Sequence, residues 1–554
     1  AQGHYLATYP SYHNRIRGGH NTFQIRVSDE PVHSLTRRLD AVVALDKRTW
    51  AEHRAAAGPA TWGICAAGRA PAGDWPGRTV EVPVAELDAG AADQEHLANT
   101  LLYGALCGLC DLPEAPMLAP IARGLAKKAD RIVRRNEEAF RAGYGFGRGH
   151  EEARRALAWA PPPPDRRPSL FLSGNEAAAL GAVAAGCRFY TAYPMTPSTS
   201  ILTTLAAHAG ETGMVVEQAE DEIAAINMVL GATYAGARAM TGTSGGGFAL
   251  MAEGLSLAGM IEGPAVIALA MRPGPATGQP TRTEQGDLLF AVHAGHGEFP
   301  RAILAPGSAA ECFTLTAHAF NLADRFQVPV ILLTDQYLAD QHAYLPALDL
   351  DGVRIDRGKL VEAGPDYRRY APAEDGVSPR AVPGRGEGIV VVDSDTHDEA
   401  GHLTEDLDTR NVMVRKRLAK GDALAGEVLI PELDGEAGAD LVMCWGSNRG
   451  VVADAVKRLR GRGCDAAMMH FKQVWPLPAA WLRAACGRFA NLIMVENNAT
   501  GQLARLLRAE NTVAVAKQVL KYDGQPFFLD ELVEALEPLL VSKGGEAHGH
   551  GRSE

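Results

Sequence analysis

Lysine is scarce in this chain of 554 residues: it supplies 11 of the 54 bases, and none stands between Lys128 and Lys359. Chemistry in that central stretch works without a Schiff-base lysine or a phosphate-binding one. The only Gly-Lys pair is Gly358-Lys359, followed by Leu360. A Walker-type phosphate loop is therefore absent, and with it the expectation of ATP or GTP hydrolysis. Clustered cysteine is equally short. Of the eight cysteines only Cys107-Gly-Leu-Cys110 makes a close pair, half of the roughly four ligands that a structural zinc or an iron–sulfur cluster takes, so the thiols read as buried and reduced. Basic excess is missing too. The 66 acids against 54 bases leave a net charge of -12, which argues against nucleic acid as the main partner, because phosphate neutralisation needs a basic surface. No apolar run reaches the roughly 18 residues of a membrane span, and the expectation is a chain of the reducing cytoplasm with no membrane contact.

What is present is ordinary globular material, 46% hydrophobic and 22% charged, enough for about three to five domains at roughly 100–200 residues each. The start reads as the middle of a domain: the pattern is already strand-like at Gln24-Ile25-Arg26-Val27, and an opening β-α piece is expected to be missing ahead of Ala1. This first α/β domain is expected over 1–150, and it closes with a basic amphipathic run from Ala126 to Ala142. Four prolines, Pro161 to Pro164, cannot continue a helix and mark a stiff linker over 151–168. Over 169–341, apolar runs such as Phe189 to Tyr193, Met214 to Glu217, Arg238 to Thr241, Ala265 to Leu269 and Val328 to Thr334 recur at the spacing of βα units. That predicts a doubly wound parallel sheet with ligands at the carboxyl ends of its strands. Residues 342–437 read as an irregular connector, 438–540 as a second, smaller α/β domain, and 541–554 as a disordered tail.

Four segments carry candidate chemistry. Tyr193-Pro194-Met195-Thr196-Pro197-Ser198 follows a strand and opens a helix, with Thr196 expected at the N-cap and Pro197 at the first helical position. Such a terminus suits a small anion, although a plain strand-to-helix turn has the same look. Glu217-Gln218-Ala219-Glu220-Asp221-Glu222 places four acids at a second junction. A solvated helix start is the ordinary reading, but Glu222 leads straight into apolar Ile223-Ala224-Ala225-Ile226, so its carboxylate is expected to be partly buried with a raised pKa. Gly242-Thr243-Ser244-Gly245-Gly246 matches the serine-hydrolase elbow; equally, the glycines let a cofactor or another chain approach the backbone. Arg272 ends a strand and opens the long loop to Asp287, placed to pair with a carboxylate. His293 and His296 follow as possible ligands or as structural histidines. His397 and His402 lack the HExxH spacing, and no metal is assigned.

Taken together and in order, these segments resemble the α subunit of 2-oxoacid:ferredoxin oxidoreductases, in the form with a γ domain fused at the N-terminus. Tyr9 to Asp29, with Arg17-Gly18-Gly19-His20, is similar to the γ domain. Gly174 to Gln341 resembles the pyrimidine-binding domain. Cys444 to Gln502, with Gly446-Ser447-Asn448 and Glu496-Asn497-Asn498, resembles the transketolase C-terminal-like domain. The resemblance implies thiamine diphosphate chemistry on a 2-oxoacid, electrons passed singly to ferredoxin through a 4Fe–4S cluster, and acyl transfer to coenzyme A. Glu222 would then bond the pyrimidine N1′, Pro194 would lie against the cofactor ring, and Thr196 and Arg272 would hold the substrate's 1-carboxylate. Glu222 is preferred to Glu220 because its distance to Gly231-Ala232 fits the family spacing.

The absences bear on this resemblance. No Gly-Asp-Gly occurs anywhere, although that family holds the diphosphate and Mg²⁺ through a GDG…NN segment. A β subunit is therefore expected to bring the diphosphate site and the cluster, in an α2β2 assembly. The loop from Thr277 to Gln285 looks most like the 2-oxoglutarate branch, with Arg282, His293 and His296 as local candidates for the distal carboxylate; a pyruvate or branched-chain enzyme is the alternative. Two other classes stay open at this point: a hydrolase with Ser244 as nucleophile, and a non-catalytic scaffold subunit.

Overall fold

A computed structural model describes residues 3–12, 19–71, 73, 75–87, 94–159 (94–96 by backbone only), 170–345, 347–436, 438 and 440–540. The chain divides into two compact units. The first, mainly residues 36–166, is built on three parallel strands, Ala41–Ala44, Trp62–Ala66 and Arg78–Val82. Their apolar side chains Trp62, Ile64, Val80 and Val82 are buried with Leu102, Ala105 and Leu109 of the helix Gln94–Leu109. That helix lies directly on the helix Asp130–Gly149, where a Cβ on Gly143 would fall 2.0 Å from the Leu101 carbonyl oxygen. Only bare glycine backbone permits so close a crossing.

The second unit holds a seven-stranded sheet in the order Val215–Gln218, Cys187–Ala192, Arg238–Thr243, Ala265–Met271, Pro329–Asp335, Ala302–Leu304, Gln473–Trp475. All neighbours are parallel except the last. Every residue of Ala265–Met271 and Pro329–Asp335 is buried, as strands covered by helices on both faces must be. A five-stranded sheet follows, ordered Glu432–Asp434, Ala466–Phe471, Asp440–Trp445, Asn491–Glu496, Lys517–Leu520. The α/β class and both parallel sheets are as expected from the spacing of the apolar runs.

The boundaries differ in three places. Tyr5 to Val27 belongs to the second unit, because Tyr5–Tyr12 pairs antiparallel with His342–Leu345, and Ala7 and Tyr9 are buried with Leu35 and Tyr337. Residues 151–156, expected in the linker, form the helix Glu151–Ala156, whose Ala153 is buried in the first unit's core. The connector contains the 19-residue helix Leu407–Ala425 and a parallel strand pair, Leu360–Ala363 with Arg380–Gly386. Lys416 and Lys420 of that helix are buried on Glu262, 2.8 and 3.1 Å from its carboxylate. Arg17, Gly18, Pro161 to Pro164 and the tail 541–554 lie outside the described residues. No described helix is long and apolar enough to cross a membrane.

Candidate active site

The chain's first strand of the large sheet, Cys187–Ala192, sits between its second, Val215–Gln218, and its third, Arg238–Thr243. Strand order therefore reverses beside it, and in such sheets ligands bind outside the carboxyl ends at the reversal. The segments singled out in the sequence all leave carboxyl ends here: Tyr193 after Ala192, Glu222 after Gln218, Ser244 after Thr243, Arg272 after Met271.

Asp221, in extended backbone, caps the helix Glu222–Tyr234 by accepting from the Ala224 amide at 2.7 Å. Capping turns the next side chain inward. Glu217 and Glu220 are exposed, whereas Glu222 is 3% exposed and its Oε1 has no hydrogen-bond partner. Burial raises its pKa, only partly offset by a bond from its own amide. A Cβ on Gly247 would meet this Oε1 at 2.4 Å and the Thr243 hydroxyl at 2.1 Å. The glycine run is thus approached by this chain's own side chains: Gly247 by Glu222 and Thr243, and Gly245 by Asp287, whose Oδ2 would lie 2.5 Å from a Cβ there. Ser244 is fully buried and its hydroxyl has no partner. The elbow reading fails, because a nucleophile needs a base on it and an exposed Oγ.

Thr196 is not an N-cap. Residues 195–198 form a turn closed by the Ser198 amide on the Met195 carbonyl at 2.9 Å, and the helix begins at Thr199. Asn175 anchors that turn through the Pro197 carbonyl (2.9 Å) and the Ser200 hydroxyl (2.7 Å). Its result is an exposed Tyr193, a half-buried Pro194 and Thr196, and a Thr196 carbonyl that accepts from Arg272 Nη1 at 2.8 Å. Thr196 and Arg272 are therefore neighbours, with the rest of the guanidinium fork uncommitted to them. Asp287 completes the group: burial pushes its carboxyl up to about 6 against the pull of Arg272.

The loop behind Arg272 is held by the smaller sheet. Gln285 donates to the Trp445 carbonyl (2.9 Å) and accepts from Asn448 (2.8 Å) and the Asn497 amide (3.0 Å). Glu496 in turn accepts from Trp445 Nε1, Asn498 and the amides of Leu503 and Ala504. The Gly446-Ser447-Asn448 and Glu496-Asn497-Asn498 motifs thus act on the site by fixing this loop.

The remaining candidates are less central. Arg282 Nη1 donates to the Ser11 hydroxyl at 2.9 Å. His293 and His296 are exposed, and the His296 amide is held by the Ser256 hydroxyl at 2.7 Å. Sequence reasoning did not single out Asp287, Gln285 or Thr243; all three lay in quoted segments, but the surroundings of Asp287 and Gln285 come from distant parts of the chain. All eight cysteines are free and buried, and burial pushes Cys107 and Cys110 up to about 12. Among the described residues one group, Glu311, Glu432 and His470, gathers ligand-type atoms. The Arg449 guanidinium already bridges its two acids at 3.5 and 3.0 Å, so it is an ion-pair cluster.

Three family models match the chain. Residues 180–416 match "Pyruvate flavodoxin/ferredoxin oxidoreductase, thiamine diP-bdg", 1–146 match "Pyruvate ferredoxin/flavodoxin oxidoreductase", and 439–532 match "Pyruvate:ferredoxin oxidoreductase core domain II". The α subunit of 2-oxoacid:ferredoxin oxidoreductase 2 from Aeropyrum pernix is 34% identical over 600 residues, covering 96% of this chain and 92% of that protein. This chain belongs to the 2-oxoacid:ferredoxin oxidoreductase α-subunit family. Another member, the α subunit of enzyme 1 from Sulfurisphaera tokodaii, is 39% identical over 406 residues, 70% of this chain; the match spans 63% of that relative, less than two thirds of its length. A solved family structure, the 2-oxoglutarate:ferredoxin oxidoreductase of Magnetococcus marinus with 2-oxoglutarate, coenzyme A and succinyl-CoA bound, superposes with a TM-score of 0.89 at 31% identity. It covers 97% of this chain and 94% of its own.

Proposed function

We propose that the chain is the α subunit of a 2-oxoglutarate:ferredoxin oxidoreductase, converting 2-oxoglutarate and coenzyme A to succinyl-CoA and CO2 while ferredoxin takes the two electrons singly, or the reverse as in a reductive tricarboxylic acid cycle. The observation that carries this reading is the unpartnered Oε1 of buried Glu222 beneath Gly247. An orphaned carboxylate with raised pKa fits a ring nitrogen such as the thiamine pyrimidine N1′, with which it shares a proton. When bound, thiamine diphosphate supplies a nucleophilic carbon for the substrate's 2-oxo group. Glu222 holds and passes a proton at N1′, Pro194 packs on the ring, and Thr196 with the free side of the Arg272 fork fixes the 1-carboxylate. Because the chain lacks Gly-Asp-Gly, a β subunit brings the diphosphate site, Mg²⁺ and the 4Fe–4S cluster, in an α2β2 enzyme of the cytoplasm.

Arg282 is turned to Ser11 and both histidines are exposed, so of the local candidates for the distal carboxylate none is favoured over a β-subunit cation. The 2-oxoglutarate assignment is supported by the loop motif and by the substrate named for the Magnetococcus marinus structure. Methyl viologen reduction by the α–β complex tests it, dependent on coenzyme A, with 2-oxoglutarate, pyruvate and 2-oxoisovalerate in parallel. The expected preference is 2-oxoglutarate; a higher kcat/KM for either monocarboxylate overturns the substrate, and no turnover with any of them overturns the activity.

A further inference from the structure

The chain as a whole is acidic, yet residues 123–135 carry six bases, Arg123, Lys127, Lys128, Arg131, Arg134 and Arg135, against one acid, Asp130. They occupy the corner of the first unit where the helix Glu114–Gly124 turns into the helix Asp130–Gly149. The turn is ordered, with the Leu125 amide on the Ile121 carbonyl at 3.0 Å and the Lys128 amide on the Leu125 carbonyl at 2.8 Å. Arg123, Lys127, Lys128, Arg131 and Arg134 are exposed, and none of these five is ion-paired within the described residues. Nearby Glu114 and Glu137 pair with Arg141 instead, at 3.2 and 3.7 Å.

This arrangement goes against local electrostatics. Arg123 suits the C-terminus of the helix it ends, but the N-terminus of the next favours acids, and there Arg131 stands beside Asp130 in the first turn, with Lys127 and Lys128 just ahead and Arg134 just beyond it. Cations at spacings of three and four also repel one another. Places where a sequence breaks a local rule without an internal gain are expected to be functional. Ile132, 40% exposed at the centre of the cluster, adds an apolar contact.

We propose that this corner docks the acidic electron-carrier protein of the reaction, an iron–sulfur protein of the ferredoxin type; the proposal rests on the oxidoreductase reading above. A cluster bound by four thiolates is itself anionic, and a positive patch meeting a negative one raises encounter rates and fixes orientation. The cations suit a broad acidic face better than a nucleotide phosphate, which takes donors converging in a cavity. Here the surface is open: nothing lies within 4 Å of where a Cβ on Gly124 would stand.

The test is the triple variant K127E/K128E/R131E in the α–β complex, assayed with an acidic ferredoxin and with methyl viologen. The KM for ferredoxin is expected to rise about tenfold or more at low ionic strength. Its salt dependence should flatten, while methyl viologen rates and the KM for coenzyme A stay at wild-type values. The triple glutamine variant should show a smaller rise of the same kind. An unchanged ferredoxin KM with methyl viologen activity intact overturns the docking surface, as does a rise in the coenzyme A KM instead. Absence of methyl viologen reduction in the wild-type complex overturns the oxidoreductase reading, and the docking proposal falls with it.

Discussion

Two glutamates are buried at opposite ends of the same parallel sheet and hold their protons oppositely. Glu222, 3% exposed, follows the carboxyl end of Val215–Gln218; one of its oxygens has no partner and burial raises its pKa. Glu262, 2% exposed, precedes the amino end of Ala265–Met271. Burial pushes it upward as well, but Lys420, Lys416 and Arg369 overcome that push and hold it at about 2. Residue type and burial are matched, so the partners decide. The amino end is closed by ion pairs within the chain, including Asp324 with Arg238, Arg357 and Arg380 at 2.8 to 2.9 Å. The carboxyl end leaves the Glu222 carboxylate and the Tyr190 and Ser244 hydroxyls unsatisfied. Buried polar groups without partners are costly; at the amino end they include single nitrogens of Arg357, Arg369, Arg380 and Arg417, whose guanidinium groups are otherwise bonded, whereas at the carboxyl end they include an oxygen of a carboxylate with no cation beside it.

Glu222→Gln is the sharpest way to break that contrast. Loss of a positioned proton-transfer group is expected to lower kcat of the α–β complex by about 10²–10⁴. The melting temperature of the isolated chain should hold or rise, since a neutral amide replaces a buried charge that has no counter-ion. Retained turnover would favour the scaffold reading of this subunit, and a strong loss of stability would make Glu222 a structural residue. Glu262→Gln should do the reverse. It leaves Lys416 and Lys420 buried without their anion, a loss of about 3–5 kcal/mol in urea unfolding, with kcat of the folded complex within about twofold. Its pH signature follows from the lowered pKa. The stabilisation by Glu262 is complete above the ordinary carboxylate range and disappears as pH falls toward about 2, so the variant should lack that acid-dependent component.

The same contrast explains what could be read in advance. The long buried strands Ala265–Met271 and Pro329–Asp335 were legible nearly to their ends, because continuous apolar runs between turn residues have few other solutions. The helix Leu407–Ala425 was not. Periodicity assigns lysine to solvent, whereas Lys416 and Lys420 are buried by an acid more than a hundred residues earlier in the chain. The short strands Ala302–Leu304 and Gln473–Trp475 pair across domains and are too brief to signal themselves. In the site, Glu222 was legible from an acid leading an apolar helix at a strand end. Thr196 was found but misplaced, since the rule that puts proline at a first helical position does not foresee the turn at 195–198. Asp287 stayed hidden because its surroundings come from Gly245 and Arg272 rather than from its neighbours in sequence.

Asp287 lies between the two extremes and supplies the finest test. Glu222 has no cation beside it, Glu262 has three, and Asp287 has Arg272 alone, which only partly offsets burial and leaves the carboxyl at about 6. A carboxyl raised in the fold binds its proton more tightly there than in the unfolded chain. Stability then falls as pH rises from the ordinary aspartate range through about 6, and the cost is fully present above it. Asp287→Asn removes that cost, so the isolated chain should gain about 3 kcal/mol near neutral pH and well under about 1 kcal/mol near pH 4. An equal gain at both pH values would trace the effect to packing against Gly245, and a loss near neutral pH would mean that the attraction to Arg272 outweighs desolvation. In that case Asp287 would join Glu262 among the paired acids, and the division between the two ends of the sheet would run through the site itself.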